Sequence, residues 1–384
     1  MTDSTRRTSP AGGILVTGAS GSVGRAVVDA LTSAGETVVA GVRDPRAWIA
    51  EGARRASGTA AGQQPAGPDA ARPGPAGSVP ARPGGKPLRA PNQKPERNPA
   101  AKPGGPATSS PTGRLAGRPG AGTPAAQART SAASVAAAAT HGAGTVVRAF
   151  DFADRGTWAR ALAGVDRVFL IVPPTVSDVG RTIIPFIDQA MEEAGVRQIV
   201  FLSAPGVRFD TRSPHHFVEQ YLKRTRAPHT ILRPNVFLQT LSTLYRDDIR
   251  LRGELVLPAA GASAAFVDAN DVGRVAARVL SEPGHLGKTY PLAGEQAFSI
   301  AQVAEILTEV LGRPIRYTAT SEAEYTELTA KQGARPPDVA AQAAWYRAMR
   351  RRLTALPNRS IRKLTGRPAT TLRGFVEEHR LTWL

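Results

Sequence analysis

A run of regularly spaced glycines near the N-terminus constrains the fold of this chain more than any other feature. Gly18, Gly21 and Gly24 lie between an apolar run at 14–16 and a helical pattern at 23–31. In a strand–turn–helix unit, such glycines permit a tight turn, close approach of backbone to a pyrophosphate, and close packing of helix on strand. The helix N-terminus adds unpaired N–H groups and a positive dipole end. The sequence therefore predicts a dinucleotide site, with an ordinary glycine-rich turn as the alternative.

The end of the second apolar run, at 37–42, indicates which dinucleotide fits. Arg43 follows this run and lies 19 residues after Gly24. At this point of a dinucleotide-binding unit an acidic residue bonds the ribose of NAD, whereas an Arg accommodates the 2′-phosphate of NADP. Asp44 comes next, and it would favour NAD if it were the last residue of the strand. The sequence thus favours NADP and leaves NAD open, with a solvated surface charge as the alternative for Arg43.

Strand and helix patterns alternate along much of the chain, which indicates the fold class. The strands are nearly continuous apolar runs, as in parallel sheets that are covered on both faces. Alternation with right-handed crossovers predicts an α/β fold with a Rossmann-type doubly wound parallel sheet, built from 13–45 and 145–234. From 235 to 384 we expect a smaller, mostly helical substrate lobe, with 286–293 returning a strand to the sheet.

Residues 46–144 interrupt this pattern with a tract rich in Ala, Gly, Pro and Arg. The tract holds 15 of the 32 prolines of the chain and one aromatic residue, Trp48. A segment with so little apolar surface cannot offset the entropy lost on ordering, so we expect a disordered insert here. The first residues, 1–12, are expected to be disordered as well.

The insert also carries much of the positive charge. It holds 13 Lys and Arg against three acidic residues, a net charge of +10 out of +18 for the whole chain. Such a tract can bind nucleic acid through phosphates. However, it lacks the interleaved aromatic residues that stack on bases in single-strand binders. We therefore expect a tolerated surface insertion and no nucleic-acid partner.

Composition excludes several other classes of function. The chain has no cysteine, which excludes disulfides and thiolate chemistry. Its six histidines lack the spacing of metal ligands, so no metal site is expected. No apolar stretch reaches the roughly 20 residues that span a bilayer. The sequence predicts a cytoplasmic protein without a membrane segment.

Several motifs together carry a family resemblance. They are VTGASGSVG at 16–24 with VRDP at 42–45, DFAD at 151–154, FLSAPG at 201–206 and TILRPNVF at 230–237. GKTY at 287–290 and GRP at 366–368 add to them in the tail. In these motifs the chain resembles the NmrA-like family of the atypical short-chain dehydrogenase/reductase superfamily. The resemblance covers nearly everything except the first dozen residues and the insert.

The resemblance implies a set of site residues at or near the ends of strands. The implied cofactor contacts are Gly18, Ser20, Gly21, Val23 and Gly24 at the pyrophosphate and ribose, Arg43 at the 2′-phosphate, Asp151 and Phe152 at the adenine, Val172, Pro173 and Ser203 along the channel towards the nicotinamide, and Pro234 and Asn235 at the nicotinamide. Phe237 would border the substrate. A helix cap is the alternative for Asp151, and a core position is the alternative for Phe237.

One motif of the wider superfamily is missing. Typical short-chain dehydrogenases use a Tyr-x-x-x-Lys pair as general acid and base, but Tyr221 is followed four residues later by Thr225. Carbonyl–alcohol interconversion by that pair is therefore not expected. His215, one helical turn before Glu219, is the candidate catalytic proton donor and substrate contact. A surface or capping histidine is its alternative.

Together these features predict an NAD(P)H-dependent reductase. We expect hydride transfer from NADPH to a small quinone, azo or other conjugated acceptor, because such chemistry needs mainly a bound cofactor and an oriented acceptor. The resemblance also extends to proteins that bind the cofactor without catalysis. A redox sensor that regulates a protein partner is therefore the alternative.

Overall fold

The computed structural model describes residues 12–56, 144–174, 176, 178–334 and 336–384. The predicted disordered N-terminus, up to residue 11, and residues 57–143 of the predicted insert lie outside these residues.

Eleven strands and twelve α-helices are formed within the described residues. The strands are β1 (Gly13–Val16), β2 (Val38–Val42), β3 (Thr145–Ala149), β4 (Val165–Ile171), β5 (Gln198–Leu202), β6 (His229–Pro234), β7 (Glu254–Leu257), β8 (Ser263–Ala264), β9 (Thr289–Leu292), β10 (Phe298–Ser299) and β11 (Arg316–Ala319). The helices are α1 (Ser22–Ser33), α2 (Pro45–Ala56), α3 (Trp158–Leu162), α4 (Ile183–Glu192), α5 (Pro214–Arg224), α6 (Gln239–Ser242), α7 (Ala269–Ser281), α8 (Ile300–Leu311), α9 (Glu322–Lys331), α10 (Pro336–Arg350), α11 (Ser360–Thr365) and α12 (Leu372–Glu378).

Seven parallel strands form the central sheet in the order β3-β2-β1-β4-β5-β6-β9. Strands β1, β2 and β5 are buried along their whole length, because helices cover both faces of the sheet. The predicted Rossmann-type α/β fold with a helical C-terminal region is confirmed. Strand β9 lies beside β6, with Ile231 paired to Thr289.

Glycine packing fixes where the first helix begins. Gly18 has a φ of 63°, which favours glycine. A Cβ on Gly24 would lie 2.2 Å from the carbonyl oxygen of Gly18, so a side chain at this position would displace the helix from the turn. The first and third glycines therefore bring the N-terminus of α1 against the carboxyl end of β1.

The predicted insert begins later than the composition indicates. Residues 46–56 belong to α2, so the expectation of disorder from residue 46 is wrong for this part. Trp48 is only 8% exposed and packs in the core beneath the sheet, and Glu51 pairs with Arg25 of α1. One buried aromatic side chain and one ion pair anchor a helix whose composition resembles the tract that follows.

The C-terminal segment builds a second apolar cluster. It includes residues of α8 and α12 together with Tyr245, Tyr346 and Trp383. Asn235 at the end of β6 joins this part to the sheet, because its Nδ2 donates to the carbonyl oxygen of Thr354 at 2.8 Å. Among the helices described, none combines the length and apolar character needed to cross a bilayer.

We predict that Gly273→Ala destabilises the protein through the contact between α1 and α7. The new Cβ would lie 2.4 Å from the carbonyl oxygen of Ala26, so the helices must separate. Overpacking of this kind lowers the free energy of unfolding by roughly 1–3 kcal/mol, which urea unfolding measures. The control is Gly261→Ala, whose Cβ would meet no atom within 4 Å. Equal effects of the two substitutions would contradict the prediction.

Candidate cofactor-binding site

The glycine turn lies at the carboxyl edge of the sheet, beside its topological switch point. Strand β1 is flanked by β2 on one side and β4 on the other, and ligands of open α/β sheets bind at this place. The first N–H groups of a helix have no intrahelical partners. Because the N-cap of α1 is Gly21, no side chain of the cap bonds these N–H groups. A Cβ on Gly21 would meet only the Gly18 carbonyl oxygen, at 3.5 Å. The turn therefore has the open backbone and the N–H donors that fit a pyrophosphate.

Helix α2 holds this turn in place. The Nε1 of Trp48 donates to the carbonyl oxygen of Ala19 at 3.2 Å, and the Nε of Arg25 donates to that of Ser20 at 2.9 Å. Arg25 in turn pairs with Glu51. Sequence reasoning missed these contacts, although Trp48 is the only aromatic residue of the tract in which it lies.

Arg43 and Asp44 have different roles in the structure. Strand β2 ends at Val42, and Arg43 follows it with an exposed side chain. Asp44 begins α2 instead, because its Oδ1 accepts a hydrogen bond from the N–H of Ala47 at 3.0 Å. Within the described residues Arg43 has no ion-pair partner, so its guanidinium is available to a ligand beside the turn. The residue that would favour NAD is thus used as a helix cap.

The two residues expected at the adenine have clear structural contacts. The Oδ1 of Asp151 accepts from the N–H of Ala153 at 2.9 Å within a local turn. The short helical turn that follows is capped by Asp154, so Asp151 does not take the helix-cap role named as its alternative. Phe152 is 5% exposed and packs edge-to-face on Phe150 and Phe186, with centroids 4.8 and 5.3 Å away. Contact of either residue with an adenine stays a prediction.

The ends of β4, β5 and β6 lie side by side in the other half of the edge. Val172 and Ser203 are buried there, and Pro173 is half-buried. Pro234 is buried, and both ends of the Asn235 side-chain amide are engaged, since its Oδ1 also accepts from Val236 N–H at 2.8 Å. These residues converge as the predicted channel requires, but their contact with a cofactor is untested.

Phe237 lies just beyond this edge. It is half-buried, packs against the core cluster of the sheet and bridges to Val267. This packing fits the core position named as its alternative. A role at the border of the substrate stays a prediction.

A buried carboxylate connects these strand ends. Glu219 of α5 is 2% exposed, and its Oε1 accepts from Ser203 Oγ at 2.6 Å and from Arg233 Nε at 2.8 Å. Its Oε2 accepts a second bond from Arg233 and one from Lys223 at 3.1 Å. Burial alone would raise the pKa of Glu219, but hydrogen bonds from the two cations and from Ser203 outweigh it and lower the pKa to about 2. The group is a permanent anion at neutral pH.

His215 lies one turn before Glu219 on the same helix. Its ring stacks on Phe201 with centroids 5.9 Å apart. Burial lowers the pKa of His215, and the charge of Glu219 opposes this effect only in part. The imidazole is therefore mostly neutral at pH 7.

Tyr221 does not replace the missing catalytic tyrosine. Its hydroxyl donates to Asp188, and this hydrogen bond raises the pKa of Tyr221 to about 12. The residue that bonds Ser203 is instead Glu219, which pairs with Lys223 one turn later on α5. Across the residues that the structure describes, no three acidic or histidine side chains converge as metal ligands.

Comparison with known families identifies this arrangement. Residues 122–342, more than half of the chain, match the profile of the NmrA-like family. The chain belongs to the NmrA-like family. The matched range begins beyond the glycine turn. Strand β1, which leads into the turn, pairs with β4 of the matched range in the parallel sheet.

Its relatives include named reductases. An NAD(P)H azoreductase of Xenophilus azovorans is 31% identical over 242 residues, which cover 62% of this chain and 83% of the azoreductase. A (4-alkanoyl-5-oxo-2,5-dihydrofuran-3-yl)methyl phosphate reductase of Streptomyces griseus subsp. griseus is 35% identical over 249 residues, covering 62% and 84%.

Solved structures share the fold at lower identity. An NADPH-dependent quinone oxidoreductase of Escherichia coli, in complex with NADPH, superposes with a TM-score of 0.65 at 21% identity and covers 95% of this chain and 99% of its own. A Citrobacter sp. triphenylmethane reductase with NADP(H) gives 0.61 at 20% identity, covering 96% and 99%.

We predict that Glu219→Gln lowers the free energy of unfolding by an amount that depends on pH. The lowered pKa of the carboxyl corresponds to about 3 kcal/mol of unfolding free energy at pH 7. Because this pKa is depressed on folding, the contribution is full above about pH 4.5 and is lost as the pH falls towards 2. Denaturant unfolding of the original protein and of Glu219→Gln, at pH 7 and at pH 3, measures this loss of unfolding free energy.

The control for this measurement is Glu193→Gln, because Glu193 is exposed at the end of α4. It should change the unfolding free energy by less than about 0.5 kcal/mol at either pH. If Glu219→Gln lowered the unfolding free energy equally at both pH values, the electrostatic origin of this stabilisation would be contradicted.

Proposed function

We propose that this protein is an NAD(P)H-dependent reductase that transfers hydride from NADPH to a small conjugated acceptor such as a quinone or an azo compound. The observation that carries the proposal is the glycine turn at the switch point of the sheet, with the exposed Arg43 beside it. A helix N-terminus binds the pyrophosphate, and an arginine at this strand end accommodates the 2′-phosphate.

The relatives support the same reaction class. The azoreductase named above uses NAD(P)H according to its name, and the furan phosphate relative is also a reductase. The identity of the acceptor is the part of this function that we propose. Azo and quinone compounds are favoured because they accept hydride without a tyrosine–lysine pair.

Each part of the site has a separate task in this proposal. NADPH, when bound, supplies the hydride. The N–H groups of the glycine turn and Arg43 bind its phosphates. Helix α2 keeps the turn in shape through Trp48 and through the pairing of its Glu51 with Arg25 of α1. The ends of β4 to β6 face the nicotinamide half, as in other sheets of this order.

The proton that follows the hydride needs a source. A reduced quinone oxygen takes up one proton, and a protonated His215 imidazole is the candidate donor. Because burial lowers the pKa of His215, the protonated form becomes abundant only below its usual value of 6.5.

We predict that Arg43→Asp separates the two dinucleotides. Loss of charge-assisted bonds to the 2′-phosphate, and repulsion by the new carboxylate, should weaken NADPH binding by roughly 100-fold and NADH binding by less than about threefold. Isothermal titration calorimetry measures both. Arg316→Asp, an exposed arginine on β11, is the control and should alter neither. Equal losses for both dinucleotides would remove Arg43 from this role.

Turnover with NADPH and a panel of quinones and azo dyes tests the reaction itself. The rate should rise as the pH falls through the lowered pKa of His215, because only the protonated ring donates. His215→Asn should remove this dependence, and identical pH profiles would exclude His215 as donor. Tight NADPH binding without acceptor-dependent oxidation would contradict the reductase and favour the redox sensor.

A further inference from the structure

The hydroxyl of Ser203 has a fixed polarity. Its Oγ lies 2.6 Å from Glu219 Oε1, and an ionised carboxylate can only accept. The other hydrogen bonds of Glu219 hold its carboxylate in this orientation, since Arg233 binds both carboxylate oxygens and Lys223 binds one. The single proton of Ser203 Oγ is therefore committed to Glu219.

The lone pairs of Ser203 Oγ remain available to accept a hydrogen bond. In the part of the chain that the structure describes, no N–H or O–H donates to this oxygen. Ser203 directly follows β5, between the ends of β4 and β6, in the half of the edge that faces the nicotinamide end of a dinucleotide. A ligand group that meets this oxygen must bring a donor, and the nicotinamide ring carries one in its carboxamide N–H₂.

We propose that Glu219 is a positioning residue that makes Ser203 a hydrogen-bond acceptor for the carboxamide N–H₂ of the cofactor. Ser203 thereby orients the nicotinamide ring and selects dinucleotides that carry a carboxamide. The inference rests on the proposed function in one respect, namely that the ligand is a nicotinamide dinucleotide.

The cations of this cluster act only through Glu219. Arg233 reaches the carboxylate from β6, and Lys223 reaches it from the next turn of α5. They keep the carboxylate ionised and its orientation fixed, so Ser203 cannot reverse its hydrogen bond. A neutral amide at position 219 would turn its own N–H₂ away from the guanidinium and towards Ser203. The serine proton would then be free to point into the channel.

The experiment compares NADPH with its acetylpyridine analogue, in which an acetyl group that only accepts replaces the carboxamide. Dissociation constants of both are measured by calorimetry on the full chain. The original protein should prefer NADPH by about tenfold, the value of one hydrogen bond of this kind. Ser203→Ala and Glu219→Gln should both reduce this preference to near one, since neither offers a fixed acceptor to the carboxamide.

Controls separate this role from a structural one. A residue that only stabilises the fold would change both affinities by the same factor and leave their ratio intact. Thr225→Ala removes a hydroxyl at the far end of α5, where it bonds the Tyr221 carbonyl oxygen, and should leave the ratio at its original value. If Glu219→Gln does not fold, Ser203→Ala still tests the role of Ser203.

Two outcomes would overturn the inference and are distinguishable. Binding of both dinucleotides with an unchanged ratio in Ser203→Ala would overturn the role of Ser203 alone and leave the reductase proposal standing. Binding of neither dinucleotide by the original protein would overturn the proposed function and this inference with it.

Discussion

The close contact between Gly24 and the carbonyl oxygen of Gly18 is the constraint on which the rest of the site depends. With any side chain at Gly24, α1 could not begin beside the end of β1. The helix N-terminus, its N–H groups and its dipole would then lie away from the crevice at the switch point. Sheet order and glycine packing together create one place where an anionic ligand meets free backbone donors.

The two halves of this edge are stabilised in different ways. On the adenosine side, Trp48 of α2 and Arg25 of α1 donate to carbonyl oxygens of the turn, and the cap of α2 at Asp44 leaves Arg43 exposed. On the other side, a buried carboxylate shared by two cations orients a serine. The hydrogen bonds from the two cations keep this carboxylate ionised and hold it in one orientation.

Local patterns in the sequence were enough to predict part of this site. The spacing of the glycines and the position of Arg43 depend on residues close together in the chain, so both could be placed. The cluster around Glu219 could not, because Ser203 and Arg233 lie 16 and 14 residues from it and meet it only through β5, β6 and α5. Helix α2 was missed because composition averaged over a window conceals a single buried Trp48.

The central claim is that the glycine turn binds the pyrophosphate of a dinucleotide, and the affinity of Gly21→Asp for NADPH tests it most directly. Gly21 has an ordinary extended backbone, with φ −79° and ψ 165°, and its Cβ position is open, so the fold accepts the substitution. Aspartate is also a preferred N-cap, so thermal stability should be unchanged or higher. We predict that NADPH binding is nevertheless lost, because the new carboxylate occupies the phosphate site with the same charge. Unchanged NADPH affinity in this stable variant would contradict the account.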